Sequence, residues 1–595
     1  MKTIRSSRWV HPLLLLLWVA IGTALRFGRL TSRGPWADEF STIVFSLGHS
    51  FQTVPLDRAI AIDELLQPLQ PDSTTGIGDV IHHLLSESNH PPLYFVLSHL
   101  WLNLFPTEGG IVSIWAARSL GALFGVAAIP AMFALGNLAF RSRLAGQMAA
   151  AMMAVSPFGV FLAQEARHYT LPTLFAIASL CCLIVAARAI VDRTPLPLWV
   201  GLIWIAINTL GVATHYFFAL TLCAESIALL VLAWRQSRTN TILQQSFKAW
   251  RRIYGVAAGT LVGCLAWLPI LPSNYASDNK LTHWIYDTDP LSNWLAPIGR
   301  VSAWSISMLV ALPMEITTLP LAIAIASGLV TLIFLVWALP ILGRSLKLQQ
   351  AQADSRLSVQ VLSQFILGAI VLFFGITYSL RADLTLAPRY QFVYFPAFIA
   401  LLGAGLATCW NTPSSVEIES KSVKDRSSVF RFIPKGGKKA VILVWLMGLL
   451  GGITVAWNLG YLQTLRSDLL VNVIQHVSGS PVLIATTYQH HGQTGRMMGL
   501  AWEFKHTHDS LSFARPEIAS PLFLLAREPQ VSKLAKNPTA TLQETVTKLP
   551  RPLDVWLVNF HAGVELEQQN CFKVSQKLPK LDSYWYRLYR CPAPK

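Results

Sequence analysis

Residues 9 to 40 read WVHPLLLLLWVAIGTALRFGRLTSRGPWADEF. The first part is an apolar run to about residue 27, preceded by Lys2, Arg5 and Arg8 and followed by the acidic pair Asp38-Glu39. At about 1.5 Å per residue such a run crosses the roughly 30 Å of hydrocarbon in a bilayer. No small-x-small cleavage site precedes the long polar loop, which predicts an uncleaved first membrane helix with its N-terminus in the cytosol.

The rest of the chain repeats this pattern. Of its 595 residues 53% are hydrophobic and only 13% charged, with a mean hydropathy of +0.46, which leaves too little polar surface for a soluble globule. The net charge of +16 does not indicate nucleic-acid binding, because Lys and Arg sit in short runs between apolar stretches, where they orient membrane segments.

Apolar runs of spanning length lie near 112 to 140, 145 to 163, 170 to 187, 197 to 214, 216 to 234, 254 to 272, 319 to 342, 360 to 380, 391 to 410 and 440 to 460, giving about eleven spans in all. Two shorter segments, Pro92 to Phe105 and Val301 to Leu312, suit helices lying in the interface. With both excluded from the count, the cytosolic loops collect Arg141 and Arg143, Arg188 and Arg193, Arg235 to Arg252, Arg344 to Arg356 and the basic stretch Lys421 to Lys439. The first outer loop, 28 to 90, carries three Arg against eight Asp or Glu, so basic residues fall predominantly on the inner side.

After residue 460 strand-length runs (Val482 to Ala485, Leu522 to Ala526, Val555 to Phe560) alternate with helix-like stretches such as Arg496 to Phe504. The expected fold is therefore a polytopic α-helical membrane protein with a small extracytosolic C-terminal α/β domain. In linear order it comprises a transmembrane catalytic module (1 to 410, including the acidic loop 28 to 90), a basic cytosolic loop (411 to 439), a last membrane helix (440 to 460) and the α/β domain (461 to 595). Cys571 and Cys591 are the only cysteines of that domain, and an oxidising compartment would allow them to pair.

Five polar clusters come out on the outer side of this threading: Trp36-Ala-Asp38-Glu39, Asn89-His90-Pro-Pro-Leu-Tyr94, Gln164-Glu165-Ala-Arg167-His168-Tyr169, Thr214-His215-Tyr216 and Ala387-Pro-Arg389-Tyr390. Charge gathered at one membrane face marks a site. Neither a P-loop nor a G-x-G-x-x-G is present, so a soluble nucleotide is not indicated as energy source. An enzyme on the outer face needs a substrate delivered in the bilayer, and a sugar linked to an isoprenoid phosphate meets that need. Its chemistry calls for a carboxylate to take the acceptor's proton, cations to hold the leaving phosphate and aromatic walls for sugar and lipid. The partners expected are that donor, an acceptor whose identity stays open and the lipid bilayer, with no nucleic acid.

The ordered set Trp36-Ala-Asp38-Glu39, His90-Pro-Pro-Leu-Tyr94, Arg118 to Gly125, Ser156-Pro157 with Gln164 to Tyr169, Thr214-His-Tyr-Phe217 and Pro388-Arg-Tyr390 resembles the polytopic glycosyltransferases of the GT-C class. Within that class it is similar to the family 39 group of protein O-mannosyltransferases and the aminoarabinose transferase of lipid A. The resemblance implies an inverting transfer with Asp38 as catalytic base and Glu39 beside it. It also implies that Glu39, His90 and Glu165 shape the sugar and acceptor pocket and that Arg118, Arg167 and Arg389 hold the lipid phosphate, with Tyr94, Tyr169, His215 and Tyr390 as further substrate-binding candidates. A divalent metal occurs in parts of the class. His90 with Asp38 or Glu165 could ligate one, but the spacing shows no dedicated site and no metal is predicted.

Two other readings remain open. A lipid-linked sugar transporter or flippase would also be apolar and basic inside, though transporters tend to carry repeats and charge near the bilayer centre. A noncatalytic scaffold would show no dependence on Asp38. The cluster Tyr488 to Arg496, a strand-to-helix turn, suits an anion nest or simply a turn. Solvated surface positions are expected for His490, His491, His506 and His508.

Overall fold

The computed structural model describes residues 9–239, 243–267, 280–286, 289–314, 319–412, 437–460, 466–508, 520–529, 537–576, 578–581 and 584–594. Most of the basic loop read at 411 to 439, and the end of the run read at 254 to 272, lie outside the described residues. Two compact units divide the chain: one of residues 1–30, 121–271 and 285–462, the other of residues 31–120, 272–284 and 463–595.

The first unit is helical. Seven helices in the described residues are long and apolar enough to cross a membrane: Val10–Phe27, Ile114–Phe140, Thr170–Val191, Phe218–Ser237, Leu321–Ala351, Ala353–Ser379 and Gly437–Ala456. Arg143–Val155 and Pro157–Ala163, bent by 57° at Ser156, make an eighth if counted as one span. Among the described residues, seven to eight of the eleven expected spans meet this test of length and composition. Leu198–Thr214 and Phe395–Asn411 are helices of 17 residues, about 26 Å long and short of the hydrocarbon thickness. Leu243–Leu265 begins with a polar half containing Lys248, Arg251 and Arg252. The two segments read as interfacial do form short helices, Leu93–Leu102 and Leu295–Ser307.

The bend at Ser156 follows from its neighbour. Pro157 has no N–H, so the carbonyl of Met153 loses its partner one turn on. Arg26, fully buried on the first helix, donates from Nη2 to Met153 O at 2.7 Å and from Nη1 to Ala154 O at 2.9 Å. A carbonyl without a donor inside hydrocarbon costs several kcal/mol, and Arg26 removes that cost. Small residues then let the helices close up: a Cβ on Gly136 would lie 2.9 Å from the Cα of Gly146, and one on Gly403 2.6 Å from the nitrogen of Ala149.

The second unit is built on a six-stranded sheet of order β1-β3-β2-β4-β6-β5. Its strands are β1 (Ala59–Ile60), β2 (Val482–Tyr488), β3 (Leu522–Arg527), β4 (Leu553–Val558), β5 (Phe572–Lys573) and β6 (Tyr586–Cys591). The central β3, β2 and β4 are parallel, joined through helices His491–His508 and Pro538–Lys548, whereas β1, β6 and β5 pair antiparallel at the flanks. Leu483, Leu524, Leu542, Val546 and Val555 are buried in the core, as parallel strands covered by helices require. All three predicted strands and the helix around Arg496 to Phe504 are present. Cys571 and Cys591 form a disulfide.

Linear reading and spatial grouping divide the chain differently. The first loop, read with the membrane module, contributes β1: Ala59 pairs with Leu524 and Ile60 with Phe523. Asp57, whose φ is +61°, accepts the Arg527 N–H at 2.8 Å and donates its own N–H to Leu525 O at 2.9 Å. Lys505 reaches Asp63 at 2.8 Å.

Candidate active site

In the sheet-containing unit the acidic motif opens helix Ala37–Ser46, with Trp36 as N-cap and Asp38 and Glu39 in the first turn, where the positive ends of the peptide dipoles gather. The Glu39 carboxylate turns back to accept the Trp36 N–H at 3.3 Å, while the Glu39 N–H donates to Trp36 O at 2.9 Å. The carboxylate also receives Arg118, Nε to Oε1 and Nη2 to Oε2, both at 2.8 Å. Two more guanidinium hydrogens go to Arg33 O at 2.7 Å and Gly34 O at 3.3 Å. Glu39 and Arg118 are 0% and 1% exposed. This fork-to-fork pair immobilises the segment from Arg33 to Glu39.

The residues assigned to this side of the site therefore separate. Asp38 and His90 are half-buried, while Glu39, Arg118 and Tyr94 are enclosed. Arg118 donates to Glu39 and to two carbonyls of the segment that leads into the Asp38 turn. His90 Nδ1 lies 3.1 Å from Ser88 Oγ, and its ring stands edge-on to Phe95 at 5.9 Å.

Helix His491–His508 backs the acidic helix. A Cβ on Gly495 would stand 2.9 Å from Ala37 O, and Trp502 lies 6.4 Å from Phe40. His491 stacks on Phe51 at 5.0 Å and meets Phe45 edge-on at 5.6 Å. Burial, reinforced by His490 and opposed by Asp38, pulls its pKa down to about 3. It is a neutral packed ring at neutral pH and not the solvated surface histidine expected. Glu503 crowds Gly34 so closely that a Cβ there would fall 1.9 Å from its Oε1. Burial and Asp468 raise the Glu503 pKa to about 7, with Arg466 and Arg118 pulling the other way. At the start of this helix the Gly492 N–H is taken by His490 Nδ1 at 3.1 Å, so the turn read as a possible nest caps itself.

In the helical unit the other assigned residues converge. Ser156 caps Pro157–Ala163, and the chain then breaks into the turn 164–169, where the Arg167 N–H donates to Glu165 O at 2.7 Å. Gly121 permits that turn to come close, since a Cβ there would meet Glu165 O at 2.8 Å. Tyr169 is the hub. Arg167 and Arg389 lie 5.6 and 6.0 Å from its ring centroid, His168 at 4.4 Å and His215 at 5.5 Å. Tyr390 lies 6.1 Å from His215 and 4.6 Å from Phe217. His215 ends helix Leu198–Thr214, and its Nδ1 accepts the Phe217 N–H at 3.0 Å; Arg389 and Tyr390 belong to the 3-10 turn Pro388–Val393. Glu165, 3% exposed, sits in the same turn as Arg167. His168, Phe217 and Phe392 belong to this cluster too, although the motifs assign roles only to their neighbours.

Two guanidinium groups beside one phenol, ringed by histidine and tyrosine, have the chemistry for an anionic group attached to an apolar one, with Tyr169 and Arg167 buried at 1% and 2% exposure. Among the described residues no three His, Cys, Asp or Glu side chains are grouped to hold a metal ion.

Among solved structures the chain is similar to ArnT from Cupriavidus metallidurans bound to undecaprenyl phosphate, at 14% identity and a TM-score of 0.48, over 98% of this chain and 99% of that one. It is also similar to the apo state of the same protein, at 12% identity and 0.48 over the same shares. A third likeness is to the archaeal oligosaccharyltransferase AglB from Archaeoglobus fulgidus in complex with an inhibitory peptide and a dolichol-phosphate, at 11% identity and 0.37, over 83% of this chain and 64% of that one. No family model and no curated protein matches the chain. Likenesses at these identities and TM-scores do not assign it to a family.

Proposed function

We propose that this polytopic membrane protein is a glycosyltransferase that moves a hexosyl or pentosyl group from a polyprenyl-phosphate donor to an acceptor hydroxyl on the extracytosolic side. The observation that carries the reading is the cluster around Tyr169, where Arg167 and Arg389 flank one aromatic ring. The resemblance of the motifs to GT-C family 39 supports it, and so does the half-buried Asp38 beside an immobilised Glu39.

In this reading Asp38 takes the proton of the acceptor hydroxyl as its oxygen bonds to the anomeric carbon. The bond from that carbon to the phosphate oxygen breaks, and its electron pair leaves with the lipid phosphate, whose charge the arginines stabilise. Attack opposite the leaving group inverts the anomeric configuration. Glu39 and Arg118 hold the Asp38 turn; His90 in the sheet-containing unit, and Glu165, His215 and Tyr390 in the helical unit, are the candidates for sugar and acceptor binding. The protein lies in the cell membrane with its N-terminus in the cytosol and its sheet-containing unit outside. Purified protein in nanodiscs, supplied with a polyprenyl-phosphate sugar, should release the lipid phosphate in an Asp38-dependent way. A transporter would move the lipid with Asp38→Asn as fast as without it.

A further inference from the structure

At the β5–β6 edge of the sheet a groove of about 630 Å³ is lined by residues 573–576, 578–581 and 584–588, within the size range of small-ligand sites. We propose that this groove binds an anionic saccharide, one bearing carboxylate or phosphate groups. Three cations line it, Lys573, Lys580 and Arg587, and none of its described lining residues is a carboxylate. Trp585 is 47% exposed, and the Arg587 guanidinium lies against one face of its ring at 4.1 Å, which leaves the other face for a ligand. Stacking fixes the arginine's plane and leaves its hydrogen-bonding edge to meet a carboxylate or phosphate in bidentate fashion. The indole face suits the apolar C–H face of a sugar ring.

The walls are firm. Tyr586 donates its hydroxyl to Pro579 O, Tyr584 is bonded to Ser467 at 2.8 Å, and the Trp585 backbone exchanges hydrogen bonds with Asn559 at 2.8 and 2.7 Å. The Cys571–Cys591 disulfide ties the base of the two strands. A concave groove with an aromatic floor favours a ligand that enters it over a bilayer surface, which calls for a protruding patch. Taken with the transferase reading, the groove would hold the non-reacting part of the acceptor; binding itself does not depend on that reading or on Asp38.

The test uses the full chain in neutral-lipid nanodiscs, with calorimetric titration of tetragalacturonate, the neutral maltotetraose and the peptide tetraglutamate, and with phosphatidylglycerol vesicles as a separate arm. Saturable tetragalacturonate binding is expected, weakened about tenfold or more by Trp585→Ala and by Lys580→Gln with Arg587→Gln. Maltotetraose and tetraglutamate should each bind at least about tenfold more weakly, and Trp585→Phe should keep most of the affinity. Absence of saturable binding, equal binding by Trp585→Ala or tetraglutamate binding as tight as tetragalacturonate overturns the proposal, as does a Trp585-dependent attachment to the vesicles alone. Because no donor is present, failure here leaves the Asp38-dependent transfer reading standing, and the reverse holds as well.

Discussion

Arg118 meets Glu39 with two parallel hydrogen bonds of 2.8 Å, at a depth where neither side chain retains appreciable exposure. Breaking such a pair leaves an uncompensated buried charge. Arg118→Met should therefore destabilise the sheet-containing unit by about 3–5 kcal/mol, read as a lower unfolding midpoint in denaturant. In a double-mutant cycle Glu39→Gln with Arg118→Met should cost markedly less than the sum of the singles. Additive losses would mean that the pair does not act as a unit.

A side chain at Gly34 must displace the Glu503 carboxylate, whose Oε1 occupies the place a Cβ would take. Gly34→Ala pushes on the segment whose carbonyls hold Arg118, so we expect transfer to fall about tenfold or more while the membrane helices keep their thermal stability. Glu503→Ala in the same chain should recover part of the activity. Lack of any recovery would place the damage elsewhere.

Stability of the sheet-containing unit should peak in the mildly acidic range. Glu503, raised to about 7, favours the fold while protonated; that contribution is complete below its unfolded value near 4.5 and is lost as pH rises through about 7. His491, lowered to about 3, acts the opposite way: its contribution is complete above 6.5 and is lost as pH falls toward 3. Thermal melts between pH 4 and 9 should show Glu503→Gln flattening the alkaline arm and His491→Gln the acid arm. A Glu503→Gln profile parallel to wild type across pH 5 to 8 would rule out the first assignment.

The first helix carries a prediction of its own. Arg26→Met strands two carbonyls at the 57° bend and should cost about 2–5 kcal/mol or abolish membrane expression. Adding Pro157→Ala restores an N–H for Met153 O and should recover part of the loss. If the double variant is no better than Arg26→Met, the proline does not explain the arginine.

Much of this architecture is legible in the sequence because its signals are long or local. Apolar runs of some twenty residues identify themselves, and the runs at Val482, Leu522 and Val555 are long enough to stand out as strands. What escapes depends on pairings distant in sequence. β1 is two residues long and acquires strand geometry only by pairing with Phe523 and Leu524; nothing in Ala59-Ile60 alone announces it. Arg26 reads as a basic residue ending a helix, since only the fold shows that it answers Pro157. The ion pair of Arg118 with Glu39 joins residues 79 apart in sequence and is likewise invisible in side-chain type alone. Gly34 and Glu503, 469 residues apart, offer no joint signal. The motifs that carry Arg167, Tyr169, His215, Arg389 and Tyr390 are distinctive enough in order and residue type to be grouped by sequence alone, and these side chains do meet around one ring.

The central claim is that Asp38 takes the acceptor's proton, and single-turnover transfer by Asp38→Asn tests it most directly. Protein in nanodiscs loaded with a radiolabelled polyprenyl-phosphate sugar should show a transfer rate constant about a thousandfold or more below wild type, with donor binding and unfolding midpoint unchanged. Transfer within about threefold of wild type, with the same inverted product, would contradict the account.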